Sequence, residues 1–300
     1  MYPDILWMAH NNITNLNKEM LCMNNNSSLV TSDWLNDNIG SANLVILDAS
    51  MDKVVGKEPL VYENFYCIKG AQKCDIEQAF HDADSDQLHT MPPAEQFSME
   101  VQKLGVTAQS IIVIYDNQGI YSAPRAWWMF KSMGHHNVFV LNGGLPEWLD
   151  KGYAIDQQYS SIPKGNFEGV YQAGTVCGSD KVLEIIRTKD KTVVDARANA
   201  RYTGVAPEPH ASLRSGHIPG SVNIPFLDLL QGYRFQSPDT IRKIFEQQGA
   251  ADQQLICSCG SGITACVVML AANIVGTNDL CLYDGSWSEW GGDAKLPIEK

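Results

Sequence analysis

The 300-residue chain lacks any apolar run near the roughly 20 residues that a membrane-spanning helix needs. Its longest, from Ala265 to Val275, is broken by Asn273 and reads as a buried helix. The first residues also lack the basic stretch, apolar stretch and small-residue cleavage site of an export signal. Positive charge is scarce: 22 Lys and Arg face 34 Asp and Glu, for a net charge of −12. A surface this acidic repels phosphate backbones and anionic lipid, so neither nucleic acid nor a membrane is an expected partner. A small anionic substrate would need its own cationic pocket. There is no Cys-x-x-Cys, Cys257 and Cys259 have the wrong spacing for a zinc knuckle, and the adjacent His135 and His136 point apart without a third ligand nearby. No metal and no organic cofactor is implied.

What is present is ordinary in amount: 44% hydrophobic and 19% charged residues, with 24 Gly and 13 Pro. This is the composition of a globular chain, and its length suggests two domains of about 100–200 residues each. The eight cysteines (22, 67, 74, 177, 257, 259, 266 and 281) are even in number. In a long chain without an export signal they read as reduced thiols of a cytoplasmic protein rather than a disulfide framework.

The chain repeats itself once. "LVILDAS" (44–50), "CIKGA" (67–71), "IIVIYDNQGIYSAPRAWWMFKSMG" (111–134) and "VFVLNGGLPEW" (138–148) return in the same order. Their counterparts are "TVVDAR" (192–197), "HIPGS" (217–221), "LICSCGSGITACVVMLAANIVG" (255–276) and "LCLYDGSWSEW" (280–290). Asp48 pairs with Asp195, Gly70 with Gly220, Asp116 with Cys259 and Trp148 with Trp290, at a nearly constant offset. Two copies of one domain follow. In each copy, short β-branched runs alternate with segments of helical length, Ser122–Met133 before Gly134 and Ile263–Val275 before Gly276. Alternation of this kind predicts an α/β fold with a mostly parallel sheet flanked by helices. The expected division is an N-terminal extension over 1–26, a first domain over 27–155, a polar linker over 156–176 and a second domain over 177–300.

The chemistry concentrates where "LICS" runs into Cys-Gly-Ser-Gly-Ile-Thr at 259–264 and then into a helix. A thiol there faces first-turn N–H groups that have no intrahelical partner. Those donors and the helix dipole favour an anion, and the thiolate is the nucleophilic form. A free thiol is only a few per cent ionised at neutral pH, so such a site matters. Gly260 and Gly262 permit the close backbone approach that a loop curled round sulfur needs. A Cys-x5-Arg phosphatase loop is excluded, because Ala265 stands where the arginine should and no Arg follows Cys259.

These motifs, with "GHIPGSVNIPF" (216–226) and "GIYSAPRAWWMFKSMGHHNV" (119–138), make the chain resemble the tandem-domain rhodanese-like sulfurtransferases, nearest their mercaptopyruvate-using group. The resemblance implies a silent first domain, with Asp116 in the thiol's place, and an active second one built on Cys259. Gly260 and Ser261 stand where thiosulfate-using members have basic residues, and Ile263 and Thr264 complete the substrate loop. It further implies a relay of Ser261, His89 and an acid, Glu77 or Asp75, at the domain interface. Arg201 matches one of two arginines that hold the substrate carboxylate. The second position is His210 in "PEPH", which offers no fixed charge. Arg197 and Arg214 are the residues available to compensate.

The resulting expectation is an enzyme that moves sulfur from 3-mercaptopyruvate through a Cys259 persulfide to a small thiol, a thioredoxin-like protein or cyanide. Two alternatives stand beside it: a thiosulfate:cyanide sulfurtransferase, and a non-catalytic persulfide carrier or redox module.

Overall fold

The computed structural model describes residues 28–251 and 253–300; the extension read over 1–26 lies outside them. In chain order the first half holds β1 (Leu29–Val30), α1 (Ser32–Asn38), β2 (Leu44–Asp48), β3 (Cys67–Ile68), β4 (Gln72–Lys73), α2 (Ala94–Lys103), β5 (Ile111–Tyr115), α3 (Ala123–Ser132), β6 (Val138–Leu141), α4 (Gly144–Asp150) and β7 (Ile155–Asp156). The second half holds β8 (Val176–Cys177), α5 (Ser179–Thr188), β9 (Thr192–Asp195), α6 (Asn199–Tyr202), β10 (Val222–Asn223), β11 (Leu230–Gln231), β12 (Arg234–Phe235), α7 (Pro238–Gln247), β13 (Leu255–Ser258), α8 (Ala265–Ile274), β14 (Leu280–Tyr283) and α9 (Ser286–Trp290).

Each half builds one five-stranded sheet, in the order β1-β6-β5-β2-β4 and β8-β14-β13-β9-β10. Every pairing in both sheets is parallel. The repeat seen in sequence is therefore a repeat of topology. It extends to single bonds: Leu145 N–H donates to the Asp116 carbonyl at 3.0 Å, and Trp287 N–H donates to the Cys259 carbonyl at 3.0 Å.

Strands with apolar residues on both faces need cover on both faces. Alternate side chains of β5 divide accordingly: Ile112 and Ile114 face one core, whereas Ile111, Val113 and Tyr115 face another. In the second half Leu255 and Cys257 share the first of these cores, while Ile256 faces a third. One core thus runs through both halves, lined by α3 and α8, which pack the two domains together. Trp127, Trp128, Trp148, Trp287 and Trp290 are all buried in these cores. Among the described residues no helix is long and apolar enough to cross a membrane.

The polar stretch 156–176 lies against the first domain along much of its length. Ser160 N–H reaches the Ala71 carbonyl at 2.9 Å, and Gly165 N–H reaches that of Gln102 at 2.8 Å. Phe167 is buried in the shared core. Gly165 passes so close that a Cβ there would lie 2.0 Å from the Val106 carbonyl.

Candidate active site

The loops leaving the C-terminal ends of β5 and β13 enter α3 and α8, the usual place for a site in a parallel sheet. After β5 the cradle is occupied. Asp116, fully buried, accepts from the N–H groups of Gln118 (2.9 Å), Tyr121 (2.8 Å), Ser122 (2.9 Å) and Ala123 (2.9 Å). Burial pushes its carboxyl pKa up from the usual range, and those four donors pull against it. After β13 the equivalent position is Cys259, whose Sγ accepts from Gly262 N–H at 3.1 Å. The sequence pattern leads one to expect several converging donors, and among the described residues this N–H is the one in hydrogen-bonding reach of the sulfur. The difference is one of length. Asp116 oxygens stand one atom further along the side chain than a cysteine sulfur does.

The loop is held from outside by α9. Ser286 Oγ accepts from Cys259 N–H at 3.2 Å, and Ser288 Oγ donates to the Gly260 carbonyl at 2.6 Å. Ser286 adopts φ +49°, where its equivalent in the first domain, Gly144, has φ +54°. A left-handed non-glycine residue is uncommon, and this one turns its hydroxyl onto the Cys259 backbone.

Cys259 opens onto a cavity of about 320 Å³ between the domains. The second domain contributes Cys259, Gly260, Ser261, Ile263, Thr264 and His210 to its wall; the first contributes His89, Glu77, Lys53 and Tyr121. His89 Nδ1 lies 3.0 Å from Ser261 Oγ, so the first two members of the expected relay meet across the interface. Burial, reinforced by the nearby Arg125 charge, pushes the His89 pKa down to about 4. The imidazole is therefore neutral near pH 7, with one nitrogen to donate and one to accept.

The rest of the expected constellation is arranged differently. Glu77 lines the cavity, but its carboxylate accepts from Asp52 N–H at 2.8 Å instead of orienting His89. Asp75 caps its own turn through Glu77 N–H (3.2 Å) and Gln78 N–H (3.0 Å). Arg201 does not line the cavity; it is ion-paired with Glu208 and stands behind Gly260, whose Cβ position lies 3.5 Å from Nη2. Gly262 likewise sits beneath the cavity wall, donating to the sulfur.

Neither compensating arginine is available. Arg197 is buried between Asp195 (2.6 Å) and Glu208 (2.8 Å), and Arg214 is engaged by the carbonyls of Trp290 (2.7 Å), Leu296 (2.9 Å) and Gly291 (3.0 Å). The fixed positive charge that does line the cavity is Lys53, exposed and contributed by the first domain. Sequence reasoning missed it, because a lone lysine in a loop carries no pattern.

Comparison with known proteins agrees with this construction. A rhodanese-like domain model matches the chain twice, over residues 31–151 and 179–293. The chain is 36% identical over 277 residues to the 3-mercaptopyruvate sulfurtransferase of Escherichia coli (strain K12), covering 90% of this chain and 97% of that protein. It is 37% identical over 272 residues to the thiosulfate sulfurtransferase of Rattus norvegicus, covering 88% and 91%. The crystal structure of SseA, a 3-mercaptopyruvate sulfotransferase from Escherichia coli, superposes with a TM-score of 0.76 at 33% identity, covering 87% of this chain and 99% of that one. With both halves matched and relatives spanning nearly its whole length, the chain belongs to the rhodanese-like family as a tandem-domain sulfurtransferase.

Proposed function

We propose that the protein takes sulfur from 3-mercaptopyruvate onto Cys259 and passes it to a thiol, a thioredoxin-like dithiol or cyanide. The observation that carries this reading is the Cys259 sulfur, held by Gly262 N–H at the wall of a cavity that also contains the His89–Ser261 pair.

In the first half-reaction the Cys259 thiolate attacks the donor's sulfur. The carbon–sulfur bond breaks, and its electron pair remains on carbon as the enolate of pyruvate. The proton carried by the donor thiol ends on that carbon, so Cys–S⁻ and mercaptopyruvate become Cys–S–S⁻ and pyruvate. Ser261 and neutral His89 are placed to pass this proton, a contribution of about 10²–10⁴-fold in rate. In the second half-reaction an acceptor nucleophile takes the outer sulfur and the thiolate returns. Covalent splitting of this kind gives ping-pong kinetics.

The Asp116 cradle supports the persulfide. A persulfide's outer sulfur lies one atom beyond Sγ, as a carboxylate oxygen does beyond Cγ. The equivalents of the Tyr121 and Ser122 donors are Thr264 and Ala265, which open α8, where N–H groups have no intrahelical acceptor.

Thiosulfate is the second donor to consider, since a thiosulfate sulfurtransferase is also among the relatives. A dianion would call for positive charge beside the cysteine, and Gly260 and Ser261 supply none. Every described cysteine is a free thiol, which fits a cytoplasmic setting.

The test is to mix the protein with mercaptopyruvate alone and weigh it intact. Gain of one sulfur atom on Cys259, lost again on adding cyanide and absent from Cys259→Ser, is the expected result. Sulfur on another residue, or none, overturns the reading; one stoichiometric transfer without repeated pyruvate release points to a carrier.

A further inference from the structure

Beneath the Cys259 loop lies a side chain that the reaction scheme does not use. Arg125 projects from α3 of the first domain and is wholly buried. Its Nη2 donates to Asp284 Oδ1 at 2.9 Å and to the backbone carbonyl of His89. The other Asp284 oxygen accepts from Met91 N–H at 2.7 Å, so one ion pair holds the backbone on both sides of Thr90, from the His89 carbonyl to Met91 N–H. His89 itself adopts φ +59°, a conformation that needs such external bonds to persist.

The rest of the guanidinium turns toward the sulfur loop. Arg125 Nε and Nη1 are buried without an oxygen or nitrogen acceptor among the described residues. A Cβ built on Gly262, the residue whose N–H holds Cys259 Sγ, would lie 3.0 Å from Nη1. Arg125 is thus packed against the far side of the peptide that contacts the sulfur. Burying a charge beside a single carboxylate is costly, and the rest of the guanidinium faces this loop, where the Cys266 thiol at the start of α8 also meets it. Arg197, the other buried arginine nearby, is flanked by two carboxylates.

The internal repeat supplies the control. In the first domain the positions equivalent to Arg125 and Asp284 are Val268 and Asn142, so the silent loop around Asp116 has neither charge behind it. The ion pair exists only where a sulfur anion is to be carried.

We propose that Arg125 is a positioning residue for sulfur transfer: it fixes His89 and Gly262 relative to Cys259 and adds buried positive charge behind the sulfur anion. The first domain, which has Asp116 where the second has its loop thiol, would then be required for the reactivity of the second. This rests on the sulfur-transfer reading above.

The experiment uses the full-length chain as wild type, Arg125→Met, Arg125→Lys and Asp284→Asn, each checked for native circular dichroism. Alkylation of Cys259 by iodoacetamide is followed across pH, with no sulfur donor present. Arg125→Met should react about tenfold more slowly at neutral pH, as expected when a buried cation behind a thiolate is removed, and Arg125→Lys should recover most of the rate. Asp284→Asn, which leaves the arginine less neutralised, should move the profile the other way. A folded Arg125→Met with the wild-type profile overturns the proposal, as does Asp284→Asn moving in the same direction as Arg125→Met. Should Arg125→Met fail to fold, the Asp284→Asn direction decides alone. Because the assay needs no donor, it is separable from the sulfur-transfer reading, which fails instead if wild type forms no Cys259 persulfide from mercaptopyruvate.

Discussion

His89 Nδ1 and Ser261 Oγ lie 3.0 Å apart although 172 residues separate them in the chain. The contact joins a loop of the first domain to the Cys259 loop of the second, so the pair forms only when both domains are assembled. If the pair passes the donor's proton to carbon, removing the imidazole should slow bond cleavage more than binding. His89→Gln keeps a donor and an acceptor but cannot carry a proton. Its kcat for pyruvate release should fall about a hundredfold, within the range for positioned acid–base groups, with KM changed little. A kcat within a factor of about three of wild type would remove His89 from the scheme.

The same histidine leaves a mark on stability. Its pKa falls from 6.5 to about 4 on folding, through burial first and the Arg125 charge second. Below pH 6.5 the unfolded chain therefore takes up a proton that the native chain refuses. The stabilising contribution is fully present above that pH and is lost as pH falls toward 4, by at most about 3 kcal/mol. Urea midpoints should drop less steeply across this window in His89→Gln than in wild type. Parallel curves would mean that the imidazole is not held neutral.

If the cavity holds the donor's carboxylate, its cations should affect donor binding. Lys53 is exposed, and exposed ion pairs contribute little, so Lys53→Met should raise KM for mercaptopyruvate by about fivefold at most. Salt should erase much of the difference. His210→Arg places a bidentate fork at the cavity wall and should lower KM by about tenfold. Steady-state kinetics at two ionic strengths test both. An unchanged KM in both variants would place the carboxylate elsewhere.

The doubled α/β fold was legible because buried parallel strands write themselves as β-branched runs, and "IIVIY" and "LICS" recur with their neighbours in register. Cys259 was legible because a thiol between a strand and a glycine-rich helix start is a local pattern. Long-range geometry was not. Spacing alone says nothing of His89 and Ser261; resemblance supplied that pair, and it also suggested Glu77 as partner and Arg201 as clamp. Glu77 proves to be committed to Asp52 N–H, and Arg201 to Glu208. Arg125 did leave a signal. A single charge inside "SAPRAWWMF", on a helix buried all round, must find a partner in another element, and Asp284 is that partner.

Asp116 offers a last test, in the half without Cys259. Its carboxylate satisfies four backbone N–H groups in a fully buried loop. In Asp116→Ala those donors lose their acceptor, and each orphaned buried group costs about 1–3 kcal/mol unless water enters. Gly119 leaves little room for water, since a Cβ there would lie 2.8 Å from the Tyr233 carbonyl of the β11–β12 hairpin. A loss of about 2 kcal/mol or more is expected, lowering Tm by about 4–8 °C in a domain of this size. If calorimetry shows an unchanged Tm, the four bonds are not what holds this loop.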